Sequence, residues 1–119
     1  MKVRVDIAKG YTVSRPVGAL DASTAPHLRE AMALMTSVPR IVIDLSEVSF
    51  IDSAGLAALV NGIRRVRETG GQVAVCSARR QVSRALDLIG FEQVVPVVAT
   101  VDDAERIVTA RATASAGVA

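Results

Sequence analysis

Residues 40–59 read RIVIDLSEVSFIDSAGLAAL and carry the strongest structural signal in the chain. The run Arg40–Leu45 is almost continuously apolar and rich in β-branched side chains, which is typical of a central strand buried on both faces. After a short connection, apolar side chains recur at helical spacing over Leu56–Val66. We therefore predict a strand, a connection and then a helix whose first turn holds Ser53.

On the N-terminal side of this segment, the sequence predicts a hairpin and a helix. Apolar and charged side chains alternate over residues 3–7, and a second strand is predicted over residues 11–17. Pro16 indicates that this second strand ends at, or lies near, a sheet edge, because proline cannot donate to a strand ladder. A helix follows over residues 25–37, and Pro39 ends it.

On the C-terminal side, helices and strands alternate. The predicted elements are a buried strand over residues 72–76, a helix over 79–89, a weak edge strand over 94–98 and a helix over 101–111. This order predicts an α/β fold with a mixed central sheet of about four to five strands and about four helices. We expect one domain over residues 1–112 and a disordered tail over residues 113–119.

Composition is that of a folded, cytoplasmic protein. The chain has 119 residues, of which 50% are hydrophobic and 22% are charged, so one domain with an aliphatic core is expected. Its one cysteine, Cys76, excludes an internal disulfide and agrees with a reducing compartment. The N-terminus lacks a signal-peptide core, and no run reaches the roughly 20 apolar residues of a membrane span.

Arginines occur in two clusters, Arg64, Arg65 and Arg67, and Arg79, Arg80 and Arg84. Nucleic-acid binding would require such a patch together with stacking aromatics. The chain has only three aromatic residues, and two of them lie within apolar runs. The net charge is only +2. We therefore interpret the clusters as solvated helix faces or a rim that faces a partner, and we expect no direct nucleic-acid binding.

Ser53 lies where functional groups concentrate in parallel α/β sheets, at the carboxyl end of a strand and the start of a helix. One interpretation is structural, with Asp52 or Ser53 capping the helix. The other is that Ser53 accepts a phosphate, which the free N–H groups of a helix start tolerate electrostatically. Gly55 would keep the approach to Ser53 unobstructed under either interpretation.

The segment Asp44–Leu59 resembles the signature of the STAS-domain anti-sigma factor antagonists: Asp-Leu-Ser-x-Val-x-Phe, then Asp-Ser-x-Gly-Leu. The run from Gly18 to Thr24 resembles the family's Gly-x-Leu-Asp-x-x-Thr segment. Residues 70–76 and 82–95 resemble its next strand and its third helix. The resemblance extends to about residue 108 and implies the STAS fold.

The resemblance also implies a function. The unmodified antagonist binds an anti-sigma factor that is a serine kinase, and a sigma factor is thereby released. Phosphorylation of the serine that corresponds to Ser53 ends this binding, and a PP2C-type phosphatase restores it. The family's contact surface corresponds here to two segments. Its predicted partner-binding residues are Asp21, Ser23, Thr24, Asp52, Ser53, Ala54 and Gly55.

Two positions depart from the family pattern. Many members carry a second serine after the acceptor, where this chain has Ala54, so Ser53 is the sole candidate in the motif. Members often carry Glu where this chain has Ala19, a difference that bears on the choice of partner rather than on the fold.

Other functions fit the sequence less well. An enzyme is not favoured, because His27 is the only histidine and no second catalytic group is spaced to use it. A phospho-aspartate pair of Asp44 and Asp52 would need a nearby lysine, and both lysines lie in the first hairpin. No metal, cofactor or nucleotide loop is expected.

Two alternatives share the fold: the STAS subunit of an ABC-type phospholipid transporter, and a scaffold domain of a stress complex. The oligomeric state is expected to be a monomer or a weak dimer.

Overall fold

The first two strands form the predicted hairpin. In the computed structural model, which describes the backbone of residues 1–118 and the side chains of residues 1–110, β1 (Lys2–Ala8) pairs antiparallel with β2 (Tyr11–Leu20). The register runs from Lys2 opposite Val17 to Ala8 opposite Tyr11. The turn between them contains Gly10 with a φ of +88°, a conformation that favours glycine.

The strand β2 lies near a sheet edge, next to the edge strand β1, but it is an interior strand and continues past Pro16. Its first half pairs in parallel with the next strand through residues 12–14, and its second half pairs with another strand through residues 18–20. Pro16 falls between these two stretches, where no parallel neighbour requires its missing N–H. The register shifts at Gly18, whose φ of +109° produces a local irregularity.

The predicted helices and strands all form, and one further strand is present. The remaining elements are α1 (Ala25–Ala33), β3 (Arg40–Asp44), β4 (Val48–Ile51), α2 (Ser53–Glu68), β5 (Gln72–Cys76), α3 (Arg80–Leu88), a 3₁₀ turn (Phe91–Gln93), β6 (Val97–Val98) and α4 (Val101–Val118). Across the described chain the sheet order is β1-β2-β3-β5-β6, with β4 paired to β2. Only β1 runs antiparallel to its neighbour, so the mixed α/β fold class is confirmed.

The sequence prediction missed β4. Residues 48–51 were expected to be part of a connection, and they instead form a short strand parallel to the end of β2. A four-residue strand with two exposed central positions has too little periodicity to be distinguished from a loop. The end of this strand lies beside the end of β2.

Both faces of the central strands are covered, as the apolar run at residues 40–45 predicted. Ile41 and Ile43 face the core formed with α1, α2 and α3, whereas Val42 faces the smaller core under α4. All three side chains are fully buried. Cys76 joins the smaller core, and burial raises the pKa of its thiol above the ordinary value.

An ion pair joins the middle of β2 to the end of β3 and buries the Asp44 carboxylate. The Arg15 guanidinium contacts Asp44 at 2.9 Å and the exposed Asp6 at 3.0 Å. Asp44 also accepts a hydrogen bond from the backbone N–H of Ser46 at 2.9 Å. Burial opposes ionisation of Asp44, but these donors outweigh it and hold the pKa of its carboxyl below the ordinary value. Asp44 therefore supports the fold as a carboxylate.

Among the described residues, no helix is both long and apolar enough to cross a membrane. The predicted tail, residues 113–119, lies beyond the described side chains, and its disorder stays a prediction.

We expect Asp44→Asn to lower the free energy of unfolding by about 1–3 kcal/mol at neutral pH, because Arg15 loses its buried charged partner and keeps only the exposed Asp6. A carboxyl whose folded pKa is depressed stabilises the fold above its unfolded pKa of about 4, and this contribution disappears as pH falls through the folded value. The difference in free energy of unfolding between wild type and Asp44→Asn should therefore become smaller as the pH falls from about 5 to about 2. Urea unfolding across this range measures it.

Asp87→Asn is the matched control, because Asp87 lies exposed on α3. Its free energy of unfolding at neutral pH should lie within about 0.5 kcal/mol of that of wild type. A gap between Asp44→Asn and wild type that stays constant over the acidic range would contradict the role given to the Asp44 charge.

Candidate functional site

Two chain segments meet at the carboxyl ends of β2 and β4. These strands pair in parallel with Leu20 opposite Ile51, and the backbone N–H of Asp52 donates to the carbonyl of Leu20 at 3.0 Å. Asp21 and Asp52, the residues that follow the two strands, therefore lie at the same edge of the sheet. The structure thus brings together the two segments predicted to contact a partner. We call residues 21–24 together with residues 52–55 the strand-end surface.

Asp52 is the residue that caps α2. Its backbone is extended, with φ −114° and ψ −173°, and its side chain accepts a hydrogen bond from the N–H of Gly55 at 3.0 Å. Its carbonyl accepts the first helical bond, from Leu56, at 2.8 Å. The sequence left open whether Asp52 or Ser53 has this role, and the geometry assigns it to Asp52.

The Ser53 side chain does not stabilise the helix in this way. It is the first residue of α2 and is exposed. Within the described residues, its hydroxyl makes no hydrogen bond, whereas Asp52 beside it makes the capping bond. The Ser53 hydroxyl is therefore presented to solvent at the positive end of a 16-residue helix.

The loop before α1 is held by its own side chains. Asp21 accepts hydrogen bonds from the hydroxyl of Ser23 at 2.6 Å, from the Ser23 N–H at 2.9 Å and from the Thr24 N–H at 3.2 Å. These donors, the Ser23 hydroxyl first, lower the pKa of Asp21. Thr24 donates to the carbonyl of Ala19 at 2.7 Å. Asp21 and Thr24 thus shape the loop, while Ser23 is exposed at its surface.

Gly55 has a different role from the one predicted. It is buried, and a Cβ at this position would overlap the backbone carbonyl of Leu20. The glycine therefore allows the first turn of α2 to approach the end of β2, rather than clearing the approach to Ser53. Ala54 is half-buried beside it.

Sequence reasoning missed Phe50 at this edge. Phe50 is 51% exposed on β4, two residues before Asp52, whereas Phe91 is fully buried. The only signal in the sequence was its position in the Asp-Leu-Ser-x-Val-x-Phe motif. An exposed aromatic side chain next to a polar surface is a typical contact for a protein partner.

Other candidate groups lie elsewhere. Asp44 is bound to Arg15, not grouped with Asp52, and His27 is exposed on α1. The described residues contain no cluster of three or more His, Cys, Asp or Glu side chains that could hold a metal. Arg64 and Arg65, together with Arg29, border a cavity of about 500 Å³ between α1 and α2.

Comparison with known proteins agrees with this geometry. The STAS domain family model matches residues 2–104. The anti-sigma F factor antagonist of Paenibacillus polymyxa is 28% identical over 102 residues, which cover 82% of this chain and 86% of that protein. The crystal structure of an anti-sigma factor antagonist from Mycobacterium paratuberculosis superposes with a TM-score of 0.82 at 32% identity, covering 91% of this chain and 93% of that one.

A third similar protein, the antagonist SpoIIAA, has been solved in two states. Its unphosphorylated form has a TM-score of 0.72 and covers 88% of this chain and 94% of its own. The phosphorylated form of this Bacillus protein has a TM-score of 0.66, with 87% and 96% covered. At 18% identity these likenesses show the fold alone.

We expect Gly55→Ala to destabilise the protein by about 1–3 kcal/mol, because the added methyl group must displace backbone. Asn61→Ala is the matched control on the same helix, because Asn61 is exposed and its replacement by alanine adds no atom to the packed interior. Its free energy of unfolding should lie within about 0.5 kcal/mol of wild type. Urea unfolding of both variants measures the difference. Equal stability of the two would contradict the close approach at Leu20.

Proposed function

Because the chain belongs to the STAS domain family, and because its similar relatives are anti-sigma factor antagonists, we propose that it is such an antagonist and that Ser53 is its switch. The unphosphorylated form binds an anti-sigma factor with serine kinase activity, and a sigma factor is thereby released. Phosphorylation of Ser53 ends the binding, and a PP2C-type phosphatase restores it.

The exposed, unbonded hydroxyl of Ser53 is the observation that carries this proposal. A kinase must reach the acceptor oxygen, and Ser53 is exposed at the end of the sheet. Because Asp52 supplies the helix cap, phosphorylation breaks no hydrogen bond described in the fold. Ala54 leaves no second serine in the motif to compete for the phosphate.

Electrostatics explains how one phosphate would change binding without unfolding the domain. The modification adds about 1.5 to 2 negative charges at neutral pH. The start of α2 tolerates this charge because of its free N–H groups. For a bound partner the new charge is unfavourable, since it adds to the carboxylates of Asp52 and Asp21 on the same strand-end surface. A partner that fits the neutral hydroxyl would then be repelled and would also have to desolvate the phosphate.

The partner is proposed to contact the whole strand-end surface and the adjacent Phe50. The hydrogen bonds of the 21–24 loop and the Asp52 cap fix its shape before binding, which reduces the entropy lost on association. Phe50 supplies apolar area next to this polar surface. The proposed activity is therefore binding rather than catalysis, and we place it in the cytoplasm, where the unpaired Cys76 stays reduced.

We expect Ser53→Ala to retain the anti-sigma factor and Ser53→Asp to lose it. Each variant, immobilised as bait, is incubated with a lysate of the native cell, and the bound proteins are identified by mass spectrometry. The aspartate introduces a fixed negative charge, so recovery of a kinase-type anti-sigma factor should fall at least about tenfold, or 1.4 kcal/mol. Both baits should be folded, with unfolding free energies within about 0.5 kcal/mol of wild type.

Ser37→Asp is the control bait, because Ser37 is exposed and lies outside the strand-end surface. It should recover the anti-sigma factor as wild type does. Equal recovery by the alanine and aspartate variants at position 53 would rule out the switch. Recovery of permease and ATPase subunits by both would instead support the alternative, a STAS subunit of an ABC-type phospholipid transporter.

A further inference from the structure

The edge strand β1 offers an open side for another strand. It pairs only with β2, and among the described strands none lies on its other side. In an antiparallel pair, every second residue directs its N–H and C=O away from the neighbour, so a seven-residue edge presents unpaired groups to solvent. Proteins usually shield such an edge or use it for pairing.

One face of β1 is unusually apolar for an exposed strand. Val3, Val5 and Ile7 share this face, with Val5 49% and Ile7 87% exposed. They line a groove of about 320 Å³ between β1 and α1, and Leu34, on the far side of the groove, is 82% exposed. A contiguous apolar patch that includes a free strand edge is typical of a protein interface.

We propose that β1 pairs antiparallel with β1 of a second copy of this chain, about a two-fold axis at Val5. The charges on the other face of the strand select this register. Centred on Val5, each Arg4 lies opposite the partner's Asp6, so the dimer contains two attractive pairs. Val5 then meets the partner's Val5, and Val3 meets the partner's Ile7 on the apolar face.

The neighbouring registers are electrostatically worse. Centring on Arg4 places Lys2 opposite the partner's Asp6 but also Arg4 opposite its own copy, and centring on Asp6 places Asp6 opposite its own copy. Each of these registers contains a like-charge pair, whereas the register centred on Val5 contains none. Centring on Val3 places Lys2 opposite the partner's Arg4, again a repulsion. Successive side chains of a strand point to opposite faces, so a register shifted by one residue would place charged side chains beside the partner's apolar ones. Such registers are therefore excluded. The strand is therefore complementary to itself in a single register.

Existing ion pairs do not compete strongly with this arrangement. Arg4 contacts Glu47 at 3.4 Å and Asp6 contacts Arg15 at 3.0 Å, but the Arg4 and Asp6 side chains are 50% and 66% exposed. Exposed pairs of this kind contribute little and can be shared with a new partner. The charges set the register, while the main-chain ladder and the apolar face supply the affinity.

This dimer leaves the strand-end surface open. Because β1 is antiparallel to β2, joining two copies through antiparallel β1 strands makes their β2 strands antiparallel as well. The carboxyl ends of the two β2 strands, and with them the two Ser53 residues, then lie at opposite ends of the joined sheet.

Sedimentation equilibrium over about 10–500 µM protein tests the proposal, because mass action makes a weak dimer visible in this range. We expect a monomer–dimer equilibrium for wild type and an at least tenfold weaker one for Ile7→Glu. Leu88→Glu is the matched control, because Leu88 is equally exposed at 87% but lies on α3. It should dimerise as wild type does. Circular dichroism verifies that both variants are folded.

A charge exchange tests the register. Asp6→Arg places two arginines opposite each other and should weaken the dimer, whereas the double variant Arg4→Asp/Asp6→Arg restores the opposite pairs and should recover it. A wild type that remains monomeric at 500 µM overturns the proposal. So does a dimer that Ile7→Glu leaves unchanged, or one that Leu88→Glu weakens equally. Equal weakening by the single and double charge variants overturns the register.

Discussion

The carbonyl of Leu20 is the point on which the strand-end surface depends. It accepts the N–H of Asp52, and it lies so close to Gly55 that no side chain fits there. These two contacts fix the end of β4 and the first turn of α2 against the end of β2. Asp21 follows Leu20 directly, so the same contact also brings the 21–24 loop beside Ser53. Without this contact, the two halves of the surface would be separate loops.

The residues that stabilise this edge differ from the residue that we propose as the switch. Asp52 caps the helix, and Asp21 and Thr24 hold the loop. The Ser53 hydroxyl, by contrast, makes no hydrogen bond within the described residues. A modification there adds charge without removing any contact that the fold uses. This separation is what a reversible switch requires, because the domain must stay folded in both states.

The elements whose apolar residues recur with a clear period were predicted correctly from the sequence. The buried run at residues 40–45, the α2 helix and the first hairpin all show a clear period, and each formed close to its expected bounds. The strand β4 has four residues and no clear period, so it was not recognised. Phe50 was not recognised as a contact residue for the same reason, because its exposure follows from that strand's place in the sheet.

At the site, sequence alone could name the residues but not divide the roles between them. Asp52 and Ser53 are both common helix caps, so only the hydrogen bond to Gly55 could distinguish them. The role of Gly55 depended on Leu20, which is 35 positions earlier in the chain. Pro16 suggested an edge because its effect was considered one strand at a time. In the fold it occupies a gap between two parallel neighbours, which no local pattern reveals.

The strand β2 also connects the two surfaces that we propose for partners. Its first half pairs with β3 and, on the other side, holds Val5 opposite Ser14, at the proposed two-fold axis. Its second half pairs with β4 and ends at Leu20, beside the strand-end surface. Residues 15–17, between these halves, pair only with β1. Because the proposed dimer uses only the free edge of β1, a second copy leaves the residues that follow Leu20 uncovered.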